Sequence, residues 1–190
     1  AFPDPMSLKH RVWAFHLAHM SKPAEDRPIY QEMLKGQVTR ILELGIGLGD
    51  RSVRLLEAAA HFHDAREIHY TGVDLFEGRE PSLSAGLSIK QAYRKLARTG
   101  AQIRLAPGDA FSAVARIANS LRELDLVVIS GDQPAEVLNR TWFYFPRMID
   151  DQTQVFLQRP GKPSEPSPFD RISADEIAVW AGRTNRLRAA

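Results

Sequence analysis

The 190-residue chain contains no cysteine, which excludes a disulfide framework and any thiolate metal site. A chain without thiols suits a cytoplasmic protein, although secreted bacterial proteins can lack cysteine too. No apolar run approaches the roughly 20 residues of a membrane-spanning helix, so no membrane partner is expected. The opening residues Ala1-Phe2-Pro3-Asp4-Pro5 have neither the basic start nor the apolar core of a signal peptide. The chain opens on Ala1 rather than Met, which leaves room for an upstream segment. A large excess of one sign of charge is also lacking, with a formal net charge of only +2. Arg183, Arg186 and Arg188 near the end read as a solvated helix face. No nucleic-acid-binding pattern accompanies them, so nucleic acid is disfavoured as a partner.

The composition is that of a globular protein, with 44% hydrophobic and 25% charged residues. The length fits one domain with its own core. The expected organisation is a single domain over 1–190, with a helical N-terminal cap (1–36), an α/β core (37–158) and a C-terminal loop and helix (159–190).

Periodicity orders the elements. Ser7 to Met20 reads as an amphipathic helix with Ser7 as N-cap, and Ile29 to Leu34 as a shorter one. Strands are expected at Val38–Leu44, Ile68–Asp74, Ile103–Ala106, Leu124–Ile129 and Thr153–Leu157. Helices are expected between them at Asp50–Ala60, Ser88–Thr99, Ala110–Leu121 and Ala135–Ile149. Gly78 to Gly86 and Arg159 to Phe169 read as loops. Ser173 to Ala181 reads as a final helix, with Ser173 and Glu176 at capping-box spacing. Apolar strands alternating with helices predict an α/β fold, a doubly wound, mainly parallel sheet covered on both faces.

In such sheets ligands bind at the C-terminal strand ends. The first strand ends there in Glu43-Leu44-Gly45-Ile46-Gly47-Leu48-Gly49-Asp50. Glycines permit a tight turn and close ligand approach, and the following helix directs free N–H groups to the same place. A dinucleotide fingerprint needs its third glycine one residue later, where Asp50 stands, and a Walker loop needs Gly-Lys-Ser/Thr. Glu43 suits a cationic ligand such as the aminium end of an amino acid better than a pyrophosphate. A ligand-free strand–helix connection is the plainer alternative. Asp74, closing the second strand, either accepts both hydroxyl hydrogens of a ribose or caps a turn, with Leu75 and Phe76 placed to cover a base. Asp109 either meets an adenine edge or is the N-cap of the next helix. The fourth strand ends in Ser130-Gly131-Asp132-Gln133. Asp132 is there either a general base at a pocket mouth or a helix cap before Pro134, with Pro134 as first helical residue.

Between about Val38 and Leu157, the segments Glu43-Leu44-Gly45-Ile46-Gly47-Leu48-Gly49, Val73-Asp74-Leu75-Phe76, Gly108-Asp109-Ala110-Phe111 and Leu124-Asp125-Leu126-Val127-Val128-Ile129 together resemble the class I S-adenosylmethionine-dependent methyltransferases, and within them the small O-methyltransferase-like proteins. The resemblance implies a Rossmann-like fold with strand order 3-2-1-4-5, here with a reduced or altered C-terminal hairpin. It implies S-adenosylmethionine as cofactor, held by Glu43, Gly45, Gly47, Gly49, Asp74, Leu75, Phe76, Asp109 and Ala110. The implied reaction is in-line methyl transfer to a small-molecule acceptor. An inactive S-adenosylmethionine-binding protein and an NAD-dependent oxidoreductase are the alternatives. The subgroup places Asp and His where this chain has Ser130 and Gln133. That argues for metal-independent chemistry and leaves Asp132 as the candidate base. His16 and His19 lack a third metal ligand at matching spacing, and would serve as base only if the first helix covers the pocket. His61 and His63 read as partners of their helix C-terminus. The aromatic run Trp142-Phe143-Tyr144-Phe145 reads mainly as core, its remainder lining a substrate cleft or a homodimer interface.

Overall fold

The computed structural model describes residues 8–80, 85–159 and 167–189. Its elements are α1 (Leu8–His19), α2 (Arg27–Met33), β1 (Arg40–Leu44), α3 (Asp50–Ala60), β2 (His69–Asp74), α4 (Ile89–Ala97), β3 (Gln102–Pro107), α5 (Ala110–Ile117), β4 (Leu126–Ile129), α6 (Ala135–Thr141), β5 (Gln154–Gln158), β6 (Phe169–Ile172) and α7 (Ala174–Ala189). They form one six-stranded sheet of order β3-β2-β1-β4-β5-β6. The first five strands pair in parallel, and β6 runs antiparallel to β5. The doubly wound layout and the 3-2-1-4-5 order hold as expected.

Side chains alternate across each strand, so each strand feeds two cores. Leu42, Leu44, Val127, Ile129 and Val155 pack with Val114, Trp142, Phe145 and Ile177 on one face. Ile41, Leu126, Val128 and Phe156 pack with Ile29, Tyr30, Leu55, Leu56 and Leu96 on the other. Burial on both faces explains why β4 is apolar throughout rather than alternating. At the opposite end of the sheet from the glycine turn, Asp125 Oδ2 accepts hydrogen bonds from the Thr39 and Arg40 amides at 2.7 and 2.8 Å, tying β4 to the start of β1.

Local signals account for most boundaries. Ser88 and Gln91 form a reciprocal capping box at the start of α4. Ser173 and Glu176 do the same before α7, Ser173 N donating to Glu176 Oε2 at 2.9 Å and Glu176 N to Ser173 Oγ at 3.2 Å. Pro134 is the N-cap of α6 rather than its first residue, with ψ at 131°. The expected long helix after β4 stops at Thr141 and continues as a 3-10 segment, Trp142–Arg147, which contains Pro146. Proline cannot donate to an α-helical ladder, and the tighter turn accommodates it.

The largest departure lies after β5. The expected loop ends in a strand, β6, and the final helix extends to Ala189. Only four residues, Phe169-Asp170-Arg171-Ile172, form this strand, too short for its alternation to stand out. The expected Ser7 cap, residues 81–84 of the Gly78–Gly86 loop and residues 160–166 of the proline-rich loop lie outside the described residues. Among the described residues no helix is long and apolar enough to cross a membrane.

Candidate functional site

Strand register brings the sequence-predicted residues together. Leu44 is level with Val73 on β2 and with Ile129 on β4, and Asp74 is level with Pro107 on β3. The glycine turn, Asp74 and the Ser130 segment therefore share one end of the sheet. Strand order reverses there between β1 and β4, the place where open α/β sheets bind ligands.

The turn needs its glycines. Gly45, Gly47 and Gly49 have φ of 88°, 58° and 73°, in the region where a Cβ costs about 1–2 kcal/mol. Gly45 is also hemmed in: a Cβ there would lie 2.7 Å from Ser130 Cβ and 2.9 Å from Asp132 Oδ1. A Cβ at Gly47 would meet nothing within 4 Å. The turn thus packs tightly on β4 through Gly45 and opens outward at Gly47.

Glu43 does not face a ligand with a free oxygen. It has no exposed surface. Its Oε1 accepts from Arg51 Nε at 2.7 Å, and its Oε2 accepts from Ser52 Oγ and the Tyr70 hydroxyl, each at 2.6 Å. Arg51 also donates to Gly45 O at 3.1 Å and to Ser130 Oγ at 2.6 Å, and lies 3.5 Å from Asp26. Both Glu43 oxygens are thus taken by protein donors, although the resemblance would have Glu43 face the cofactor's amino group directly or through water. Glu43 holds Arg51 beneath the turn, and Arg51 clamps the turn to β4. Burial works against the Arg51 charge, but Glu43 and Asp26 outweigh it and raise its pKa. Burial, reinforced by the Glu43 charge, raises that of Tyr70. Asp26 is raised by burial despite the pull of Arg51. Sequence reading missed Asp26, Arg51, Ser52 and Tyr70. The available signal was a tyrosine and an arginine on otherwise apolar, buried faces.

Asp74 is almost buried, and its carboxylate lies on the turn. Oδ2 accepts from the Ile46 and Gly47 amides at 2.8 and 2.9 Å. Oδ1 accepts from Arg79 Nη2 at 2.6 Å, and Arg79 Nη1 lies 3.6 Å from Asp132 Oδ2. Arg79, not expected from sequence, thus bridges the two acids from the segment following β2. Asp132 also accepts from Gln133 Nε2 at 3.0 Å. It caps no helix, since α6 has no side-chain cap.

Phe76 is buried among Ile46, Ala92, Leu87 and Ile89. Leu75 is half-buried beside it. Asp109 is the N-cap of α5, accepting from Ser112 N at 3.0 Å and Ser112 Oγ at 2.6 Å. Partial burial pushes its carboxyl up, and the Ser112 hydrogen bonds prevail and lower it. Ala110 is fully buried. His16 and His19 are exposed on α1. Trp13 of that helix packs on His61, at the far end of α3 from the turn. His63 Nε2 meets Gly36 O at 3.1 Å rather than a carbonyl of its own helix. Trp142 and Phe145 are core, and Phe143 and Tyr144 are half-buried. Among the described residues no group of three His, Asp or Glu side chains is placed to hold a metal ion.

No protein-family model matches the chain, and no curated protein matches it in sequence. Solved structures similar to it include a TehB-like SAM-dependent methyltransferase from Corynebacterium glutamicum, at 17% identity and a TM-score of 0.49, over 93% of this chain and 79% of that one. A SAM-dependent methyltransferase from Archaeoglobus fulgidus shows 16% identity and a TM-score of 0.48, over 92% and 73%. The trans-methyltransferase CalH shows 19% identity and a TM-score of 0.48 over 70% of this chain, which spans only 36% of its length. Likeness at this level leaves activity to be argued from the site itself.

Two predictions follow from the geometry. Gly45→Ala should cost the left-handed penalty plus about 1–3 kcal/mol for crowding against Ser130, and Gly47→Ala the penalty alone. Urea denaturation of both variants checks this, and equal losses would contradict the packing described. Asp109→Ala should cost about 1 kcal/mol at pH 7, with Asp109→Asn retaining most of the cap. A depressed folded pKa stabilises above the unfolded value, near 3.9, and that contribution is lost as pH falls through the folded value. The gap between Asp109 and the Ala variant should therefore narrow below about pH 4. A pH-independent gap would show that the carboxylate is not the cap.

Proposed function

We propose that the chain is a metal-independent S-adenosylmethionine-dependent methyltransferase acting on a small molecule, built as one domain. The observation that carries this reading is Asp74 seated on the glycine turn. The Ile46 and Gly47 amides, the donors a pyrophosphate would seek, already hold a carboxylate. That carboxylate repels a second anion, which disfavours NAD. It suits a nucleoside without phosphate, whose ribose hydroxyls donate to Asp74 in place of Arg79.

The residues fit such a group. Open space above Gly47 lets an extended ligand cross the turn at its backbone. Asp74 takes the ribose, and half-buried Leu75 borders the base. Gly45 and Gly49 shape the turn, while Glu43 holds it rigid from below. Asp109 and Ala110 fix the start of α5 beside the base edge. S-adenosylmethionine, when bound, supplies an electrophilic methyl group, so the protein need only align the acceptor and take its proton. Asp132, 38% exposed at the end of β4, is the group placed to take that proton. Arg79 lies within reach of Asp74 and Asp132 alike, so displacing it from one acid changes its pull on the other.

A binding protein without turnover is the second reading. It is favoured by Ser130, whose hydroxyl is committed to Gly45 O at 2.9 Å and receives Arg51, and by Gln133, which cannot act as a base.

Calorimetric titration with S-adenosylmethionine, S-adenosylhomocysteine and NAD tests the cofactor. The first two should bind, and Asp74→Ala should weaken them by about 1.5–3 kcal/mol. Binding of NAD alone, or of none of the three, would overturn the reading.

A further inference from the structure

We propose that the cavity between α6 and α7 seats the methyl acceptor, and that this acceptor is a planar aromatic molecule bearing an anionic group. The acceptor role rests on the methyltransferase reading above, whereas the ligand class rests on the cavity alone.

The cavity has a volume of about 460 Å3, within the roughly 300–1,000 Å3 of small-molecule sites. Leu138, Trp142, Leu157 and Trp180 supply its apolar lining. The two indoles meet at 4.9 Å between centroids with 51° between their planes. Trp142 is braced from behind by Phe145, at 4.7 Å. The indole pair is therefore held rigid, and it offers aromatic surface to a flat ligand.

Charge at the mouth sets the second requirement. Arg159 and Arg183 both line the cavity. Arg159 is paired with Asp170 across the β5–β6 hairpin. Arg183 is exposed and, among the described residues, has no carboxylate within 4.0 Å. An apolar, partly aromatic lining beside one uncompensated guanidinium favours a carboxylate, which the guanidinium fork can bind through two hydrogen bonds.

Position links the cavity to the turn. Ser130, Gly131 and Gln133 form one of its walls. The opposite side of the same residues meets the turn, since Ser130 Oγ donates to Gly45 O at 2.9 Å. A Cβ at Gly45 would lie 2.9 Å from Gln133 Nε2. The cavity and the nucleoside site thus share a wall one residue thick. Asp132 lies on the turn side of that wall, its Oδ1 2.9 Å from the place of a Gly45 Cβ.

Titrating the full chain, without cofactor, with 2-naphthoate and its neutral isostere 2-naphthamide tests the proposal. Naphthoate should bind about fivefold more tightly, the size of a partly exposed charge-assisted contact. Arg183→Gln, at an exposed position, should bring the ratio close to one while retaining naphthamide binding. Trp180→Leu should weaken both ligands. Equal affinity for the two ligands, no binding of either, or a ratio unchanged in Arg183→Gln would overturn the proposal, and the Arg183 arm decides even if Trp180→Leu fails to fold. S-adenosylhomocysteine titrated into the same sample separates the two readings. Its binding without naphthoate binding overturns the aromatic-anion cavity alone. Naphthoate binding without it leaves a site for aromatic anions and overturns its role as acceptor site.

Discussion

A carboxylate with no exposed surface anchors the working end of this protein. Glu43 closes β1 and binds Arg51 and Ser52 from α3 and Tyr70 from β2. Through Arg51 it reaches Gly45, Ser130 and the N-terminal segment at Asp26. A buried charge costs several kcal/mol unless it is paired and its remaining lone pairs are satisfied. Here both oxygens of Glu43 are. The geometry of the glycine turn follows, because Arg51 fastens Gly45 and Ser130 to one guanidinium. Breaking the pair from either side would leave the other charge buried and uncompensated.

The upper side of the turn has the opposite character. Its outward amides are taken by Asp74, and Asp74 is in turn held by Arg79. A site that looks from sequence like an open cradle of donors presents a carboxylate covered by a guanidinium. This polarity speaks for a ligand with hydroxyl donors and against one with phosphates. Under the proposed function, ligand binding is then an exchange, in which a nucleoside replaces Arg79 on Asp74.

Much of this was legible in the sequence. The apolar strands, the glycine spacing, Asp74 at the end of β2 and the capping pairs at Ser88 and Ser173 are local signals with local causes. The parts that were not legible depend on long-range partners. Glu43 read as ligand-facing because its partners, Arg51 and Tyr70, become neighbours only when β1, β2 and α3 assemble. Asp109 is local by contrast: its cap role was legible, since Ser112, which engages its carboxylate, lies only three residues on. The strand β6 was hidden by its length and by the prolines before it, and only pairing with β5 defines it. Arg79 follows the second strand with no pattern to mark it. It reaches two acids, Asp74 closing β2 and Asp132 in the turn after β4.

Under the proposed function, Asp74 exchanges Arg79 for the ribose of a nucleoside at the glycine turn. A crystal structure of the chain grown with S-adenosylhomocysteine tests it most directly. The ribose hydroxyls should lie on Asp74 Oδ1, the amino-acid portion over Gly47, and the Arg79 guanidinium should be withdrawn from Asp74. A nucleoside bound elsewhere, with the Asp74–Arg79 pair intact, would contradict it.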